Sequence, residues 1–350
     1  MNTVISIQAL RALAALSVVL VHYNEGYMII TGKGDYASLY PFGAGVDVFF
    51  VISGFVMLYS SEPLFGTSNA PFIFLRNRIA RIVPLYWITT TIAIWPGWHF
   101  VPLKDIVDSY LFLPMKDPQG RFQPLYGVGW TLNFEMYFYV IFAACLLFSR
   151  KLVPILLVLL MIGAIIIGRT FQIHSSALIV WTDPIIIEFL LGVGIAMLFR
   201  NAIVLPLSVR IAMVAVSCAT IWHFGPPAVP TGYRWAEWGI PAAAIMASAV
   251  LGTQKWSAGP LGSAAKTMGD ASYSMYLLHI LVLEELFRTK QTLGNTQAFV
   301  LLSACYALTI ILSLFLYRYF ERPMTDLLKA PHRKQLPTNA AIDHGQVPYR

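Results

Sequence analysis

Charge is what this sequence lacks most: Asp, Glu, Lys and Arg make up 12% of its 350 residues, where soluble domains average about 25%. Too few charges are present to build a water-facing shell. With hydrophobic residues at 57% and a mean hydropathy of +0.67, the apolar surface must face lipid. Cysteine is scarce as well. Cys145, Cys218 and Cys305 all fall inside apolar runs, which argues against a disulfide framework of the secreted type and leaves them as small apolar fillers. No basic segment precedes the first apolar run, so that run is expected to be retained and not cleaved as a signal peptide. No internal repeat stands out of the kind that builds paired transporter halves, and no metal-ligating set is singled out. The net charge of +7 is accounted for by cytoplasmic segments facing an anionic leaflet, so no nucleic-acid partner is expected.

What is present is a series of apolar runs near the length of about 20 residues that crosses hydrocarbon. They fall at roughly 4–24, 42–60, 82–100, 127–148, 152–168, 184–199, 209–224, 239–253, 271–287 and 297–317. Pro84, Pro96 and Pro241 interrupt or bound the third and eighth, which membrane helices tolerate better than soluble ones. The expected fold is therefore all-α: a polytopic transmembrane bundle of about ten spans over residues 1–325. Residues 326–350 are expected to form a polar, disordered cytoplasmic tail. Lys and Arg concentrate in alternate connections, fifteen on the side of the N-terminus against eight on the other, so both termini are expected in the cytoplasm.

Ionisable side chains inside such runs cost a few kcal/mol or more and mark functional sites by default. The candidates are Arg11, His22, Asp47, Glu135, Glu188 and His279, each of which has a structural alternative as part of a polar network between helices. Arg11 and His22 are eleven residues apart, which returns a helix to nearly the same face about 16 Å along its axis. Both can line one interior channel, and the imidazole is the group suited to exchanging protons near neutral pH. Asp47, in a glycine-bearing segment from Phe42 to Phe55, either orients a histidine on a neighbouring helix or is a hydrogen-bonded acid in a packing segment. Glu135, inside the fourth run after Trp130, needs a partner: a histidine, sugar hydroxyls or another helix. Arg76, Arg78 and Arg81 precede Pro84 in what reads as a cytoplasmic loop. The Arg78–Arg81 spacing suits phosphate oxygens, although ordinary positive-inside charge explains it too. Glu188 and His279 are assigned to structure.

In this order the residues resemble the membrane-bound acyltransferase-3 family, in particular members that acetylate bacterial exopolysaccharides and lipopolysaccharides. The resemblance is carried by Ile7 to Ala15 running on to Val21-His22-Tyr23, and by the block Gly45 to Phe55 around Asp47. Arg78-Ile79-Ala80-Arg81 with Pro84, Trp130-Thr131-Leu132 with Glu135 and Tyr139, and Ser272 to His279 add to it. The resemblance implies a bacterial inner-membrane, multi-pass enzyme with no permanently bound cofactor. Acyl-CoA, most simply acetyl-CoA, would be the donor on the cytoplasmic side, and a polysaccharide or lipid-linked glycan the acceptor outside. By the same resemblance His22 performs the chemistry as general base or transient nucleophile. Asp47 or Glu135 supports it, Arg11, Arg78 and Arg81 hold the donor, and polysaccharide-synthesis machinery is a further partner. Some members carry an extracytoplasmic hydrolase-like domain after the bundle, which is not expected here. Two other classes compete: a transporter or flippase for acyl donors or glycans, and a catalytically silent scaffold.

Overall fold

A computed structural model describes residues 4–33, 39–225, 233–252, 259–288 and 293–329 of the chain. Most of the expected tail, and Lys255 and Lys290 among the charges used for orientation, lie outside the described residues. Among those described, every regular element is helical, with one isolated bridge between Lys116 and Phe122.

All ten apolar runs fall on helices. In chain order the helices are α1 (Ile5–Thr31), α2 (Gly45–Ser60), α3 (Ala70–Ile94), α4 (Leu103–Tyr110), α5 (Trp130–Cys145), α6 (Leu152–Thr170) and α7 (Ser176–Trp181). They continue with α8 (Ile187–Arg200), α9 (Leu207–Phe224), α10 (Ile240–Val250), α11 (Pro260–Asp270), α12 (Ser272–Arg288), α13 (Asn295–Leu316) and α14 (Arg322–Leu328). Among the described residues, five stretches are long and apolar enough to cross a membrane: Ile5–Thr31, Tyr40–Ser60, Leu152–Thr170, Leu207–Phe224 and Asn295–Leu328. The other runs sit on helices that are short, as α5, α8 and α10 are, or that carry several arginines, as α3 does.

Burial separates centre from periphery. The apolar window of α2 is 72% buried, while those of α6, α9 and α13 are 17%, 11% and 17% buried, so α2 is the hub and the other three turn apolar faces outward. Helices in lipid gain nothing from hiding apolar surface from each other and associate through close packing of small residues. The α2–α8 crossing is built that way. A Cβ on Gly54 would run into the Phe189 carbonyl, and one on Gly192 into the Val51 carbonyl, so the two backbones touch at reciprocal glycines. Around this crossing Phe50, Phe189, Phe138, Phe142 and Phe74 form a continuous aromatic core, with Phe138 and Phe189 stacked at 4.4 Å. Gly192→Val is therefore expected to lower the thermal midpoint or abundance of the solubilised protein. Gly194→Val, two residues on and facing open space, is expected to leave both unchanged.

The structure corrects one boundary. Arg76, Arg78 and Arg81 are not in a loop; α3 begins at Ala70, with Pro71 in its first turn, and runs through Pro84 to Ile94. A proline inside a helix frees the carbonyl one turn back, here that of Ala80. The Thr325 hydroxyl of α14 donates to this carbonyl at 3.4 Å, and Tyr273 of α12 donates to that of Ile82 at 2.7 Å, so α3 keeps its course through contacts from two other helices.

Between α4 and α5 the chain is knotted around Asp117, whose carboxylate accepts from Arg121 Nε at 2.7 Å, Gln123 Nε2 at 2.6 Å and the backbone N–H of Gln119 and Arg121. Loss of water around the group alone would raise its pKa, but these donors outweigh that and hold it below the usual carboxylate range. The knot delivers Tyr126, which donates to the Leu277 carbonyl and fastens the loop to α12 just ahead of α5.

Candidate active site

Two cavities meet at the lower end of α1. The wider, about 370 Å³, is lined by charged groups that include Arg11, Arg81, Lys266, Arg322 and Lys329, interleaved with Asp270, Glu321 and Asp326. The narrower, about 110 Å³, runs into the bundle and shares Arg11 and Arg81 with the first. Arg11 and Arg81 thus stand between a charged, mostly basic cavity and one lined largely by apolar side chains.

Arg11 is held at this junction by its Nη2 donating to Ser272 Oγ at 2.9 Å and its Nη1 to Gln8 Oε1 at 3.3 Å. Arg78 lies deeper, its guanidinium over the rings of Phe74 and Tyr139 at 5.5 and 5.9 Å, with Nε buried and in no hydrogen bond among the described residues. Glu135 accepts from Ser53 Oγ at 3.1 Å and from the Tyr139 hydroxyl. Arg11, Arg78, Arg81 and Glu135 thus share the walls of one cavity, contributed by α1, α3 and α5.

His22 stands further along α1, and the acid hydrogen-bonded to it is Glu25, one helical turn on, with Oε2 2.9 Å from Nδ1. Both side chains are about a third exposed. The His22 ring also packs on that of His279, centroid to centroid 5.0 Å, and His279 lies 5.9 Å from the ring of Tyr276. His279 is fully buried, and neither ring nitrogen makes a hydrogen bond among the described residues, although the Met275 and Tyr276 carbonyls of its own helix lie near. A buried polar group left so calls for an explanation, and a catalytic neighbourhood is one. Tyr276 belongs to both regions: its ring lines the narrow cavity, while its hydroxyl donates to the Val128 carbonyl at 2.8 Å and pairs with Thr131 Oγ1 at 3.0 Å.

Asp47 is elsewhere in the bundle. Fully buried at the start of α2, it accepts two parallel bonds from Arg234 Nε and Nη2, both at 2.8 Å. The Arg234 guanidinium lies over Trp130 at 5.6 Å and over Trp238 at 5.0 Å. Glu188 is buried close to the same pair, its side chain against Gly239. Neither Asp47 nor Glu135, the acids considered as supports for His22, is its hydrogen-bond partner here: one is joined to Arg234 and the other to Ser53 and Tyr139.

Sequence reasoning missed two residues. Glu25 was legible, since a carboxylate three residues after a histidine on a helix shares its face. Arg234 was not, because it lies 187 residues from Asp47 and reads as an ordinary loop cation.

The chain is an all-helical bundle with outward apolar faces, a basic cavity mouth and a histidine–carboxylate pair, and its class follows from the families it matches. The acyltransferase domain family matches residues 4–318, and the chain belongs to the membrane-bound acyltransferase-3 family. It is an enzyme that transfers acyl groups and a membrane protein. It is similar to the exopolysaccharide production protein ExoZ of Rhizobium meliloti (strain 1021), 31% identical over 289 residues that cover 80% of this chain and 89% of that one. It is also similar to the acyltransferase MdmB of Streptomyces mycarofaciens, 25% identical over 373 aligned positions covering 92% of each. No solved structure matches the chain.

Proposed function

We propose that the protein is a multi-pass inner-membrane O-acyltransferase with about ten spans and both termini in the cytoplasm. In this reading it moves a short acyl group, acetyl in the simplest case, from acyl-CoA to a hydroxyl of a polysaccharide or its lipid-linked precursor on the far side. The observation that carries the reading is the His22–Glu25 pair, joined through His279 and Tyr276 to a cavity whose mouth is ringed by arginines. The similarity to a protein named for exopolysaccharide production supports the acceptor class.

The chemistry follows from which nitrogen is engaged. With Nδ1–H donating to the Glu25 carboxylate, the lone pair of His22 stands on Nε2, the arrangement that makes a histidine a base. Nε2 takes the proton of the acceptor hydroxyl as its oxygen attacks the thioester carbonyl. The new C–O bond forms, the C–S bond breaks, and the imidazolium returns its proton to the departing thiolate. Glu25 stabilises that imidazolium while it exists. Arg11 and Arg81 bind donor phosphates at the mouth, where guanidinium groups engage such oxygens bidentately, with Arg78 deeper in the cavity behind them, and Lys266, Arg322 and Lys329 widen the basic rim.

The test is turnover. Purified protein in detergent, given acetyl-CoA and the alkali-de-esterified polysaccharide of the same cells, is expected to release free thiol in step with ester formed on the glycan. A transporter or scaffold would release no thiol and form no ester.

A further inference from the structure

The cavity that enters between Arg11 and Arg81 stops short of His22. Its wall includes α2 side chains from Met57 to Val46, eleven residues or about 16 Å of helix, and neither His22 nor His279 lines it. Two rings of this wall, Phe49 and Tyr276, meet edge to face at 6.3 Å. The His279 ring is the next beyond Tyr276, and His22 the next beyond that.

The two rings differ in their freedom. Tyr276 is tied by its hydroxyl to the Val128 carbonyl and to Thr131. Phe49 has no polar anchor and is only half-buried. It packs against the main core and also against the separate cluster of Ala15, Val19, Tyr23 and Met275, residues of α1 and α12, the helices that carry His22 and His279. Phe49 therefore lines the donor cavity on one face and abuts the histidine compartment on the other.

We propose that Phe49 is the specificity-determining side chain of this channel: it stands between the thioester and the His22–Glu25 pair, lets an acetyl-sized group past its ring and refuses longer chains. The proposal rests on the acyl-CoA reading above and names which acyl groups that site accepts. With an acetyl group past the ring and its carbonyl at the acceptor hydroxyl, the same ring fills the space around the chain against water, so that the donor is spent on the acceptor hydroxyl and not on hydrolysis to a free acid and a thiol. One methylene in an apolar pocket discriminates by about 10- to 200-fold, so one aromatic ring at the end of a narrow channel is sufficient to set chain length.

The experiment compares wild type, Phe49→Leu and Phe49→Ala in detergent at matched protein, with acetyl-, propionyl- and butyryl-CoA and the de-esterified polysaccharide. Thiol release and ester formation are measured in parallel. Phe49→Ala is expected to raise the butyryl-to-acetyl ratio of kcat/KM by about tenfold or more, with Phe49→Leu between it and wild type. It is also expected to release thiol in excess of ester. Chain-length order and coupling unchanged in both variants, or a loss equal for all three donors, would overturn the proposal and leave Phe49 a packing residue. Should wild type itself release no thiol, the acyl-CoA reading fails first and the proposal with it.

Discussion

His22→Ala is expected to lower kcat by about a hundredfold to ten-thousandfold, the range that a positioned general base contributes. KM for the donor should hold, because the proposed phosphate site includes Arg11, about 16 Å from His22 along α1, and two arginines of α3, and not His22 itself. Protein abundance should hold too, since the side chain is a third exposed and its hydrogen bond is local. Glu25→Gln should fall between wild type and His22→Ala: an amide still fixes the ring but cannot stabilise the imidazolium with charge. The check is steady-state kinetics on purified protein, with thiol release followed at saturating donor. Equal rates for wild type and His22→Ala would remove His22 from the chemistry.

The second large effect is on stability. Removing one partner of a buried ion pair strands the other charge and costs about 3–5 kcal/mol, whereas replacing both by apolar residues of similar volume is often neutral. Asp47→Leu leaves the Arg234 guanidinium between two tryptophans with its carboxylate gone, and should sharply lower the yield or thermal midpoint of the solubilised protein. Asp47→Leu combined with Arg234→Met should recover most of that loss. The double variant also separates the two roles open to Asp47. Folded and active, it makes the aspartate a tie between α2 and the segment entering α10; folded and inactive, it returns Asp47 to the catalytic group.

What the sequence made legible follows from where each signal is local. Every apolar run became a helix, because twenty apolar residues in lipid have no other way to satisfy their backbone groups. Helix length was less legible. α8 and α10 are 14 and 11 residues, and α2 is so enclosed that protein, not lipid, sets its surroundings. α3 starts twelve residues before its apolar run, since Arg76, Arg78 and Arg81 in its early turns lower the hydropathy there while the Leu328 carbonyl, two aromatic rings and the cavity walls receive them.

The site divides on the same line. Arg11 and Glu135 stand out because charge is expensive in an apolar run, Arg78 and Arg81 because of their three-residue spacing, and the fold gathers all four on one cavity. The reasoning paired His22 with distant acids, whereas a turn of helix supplies Glu25. Asp47 looked like a support for catalysis because its partner is remote in sequence, and pairing across 187 residues leaves no periodic trace. His279, assigned to structure by its sequence alone, lies against the His22 ring with no side-chain hydrogen bond at either nitrogen among the described residues, a ring contact that the spacing of 257 residues between the two histidines does not announce.

The most direct test of the central claim is mass spectrometry of surface polysaccharide from cells lacking the gene, complemented with wild type or with His22→Ala at matched membrane abundance. The account predicts that wild type restores an acyl mass on the glycan and the variant does not; equal acylation in both strains would contradict it.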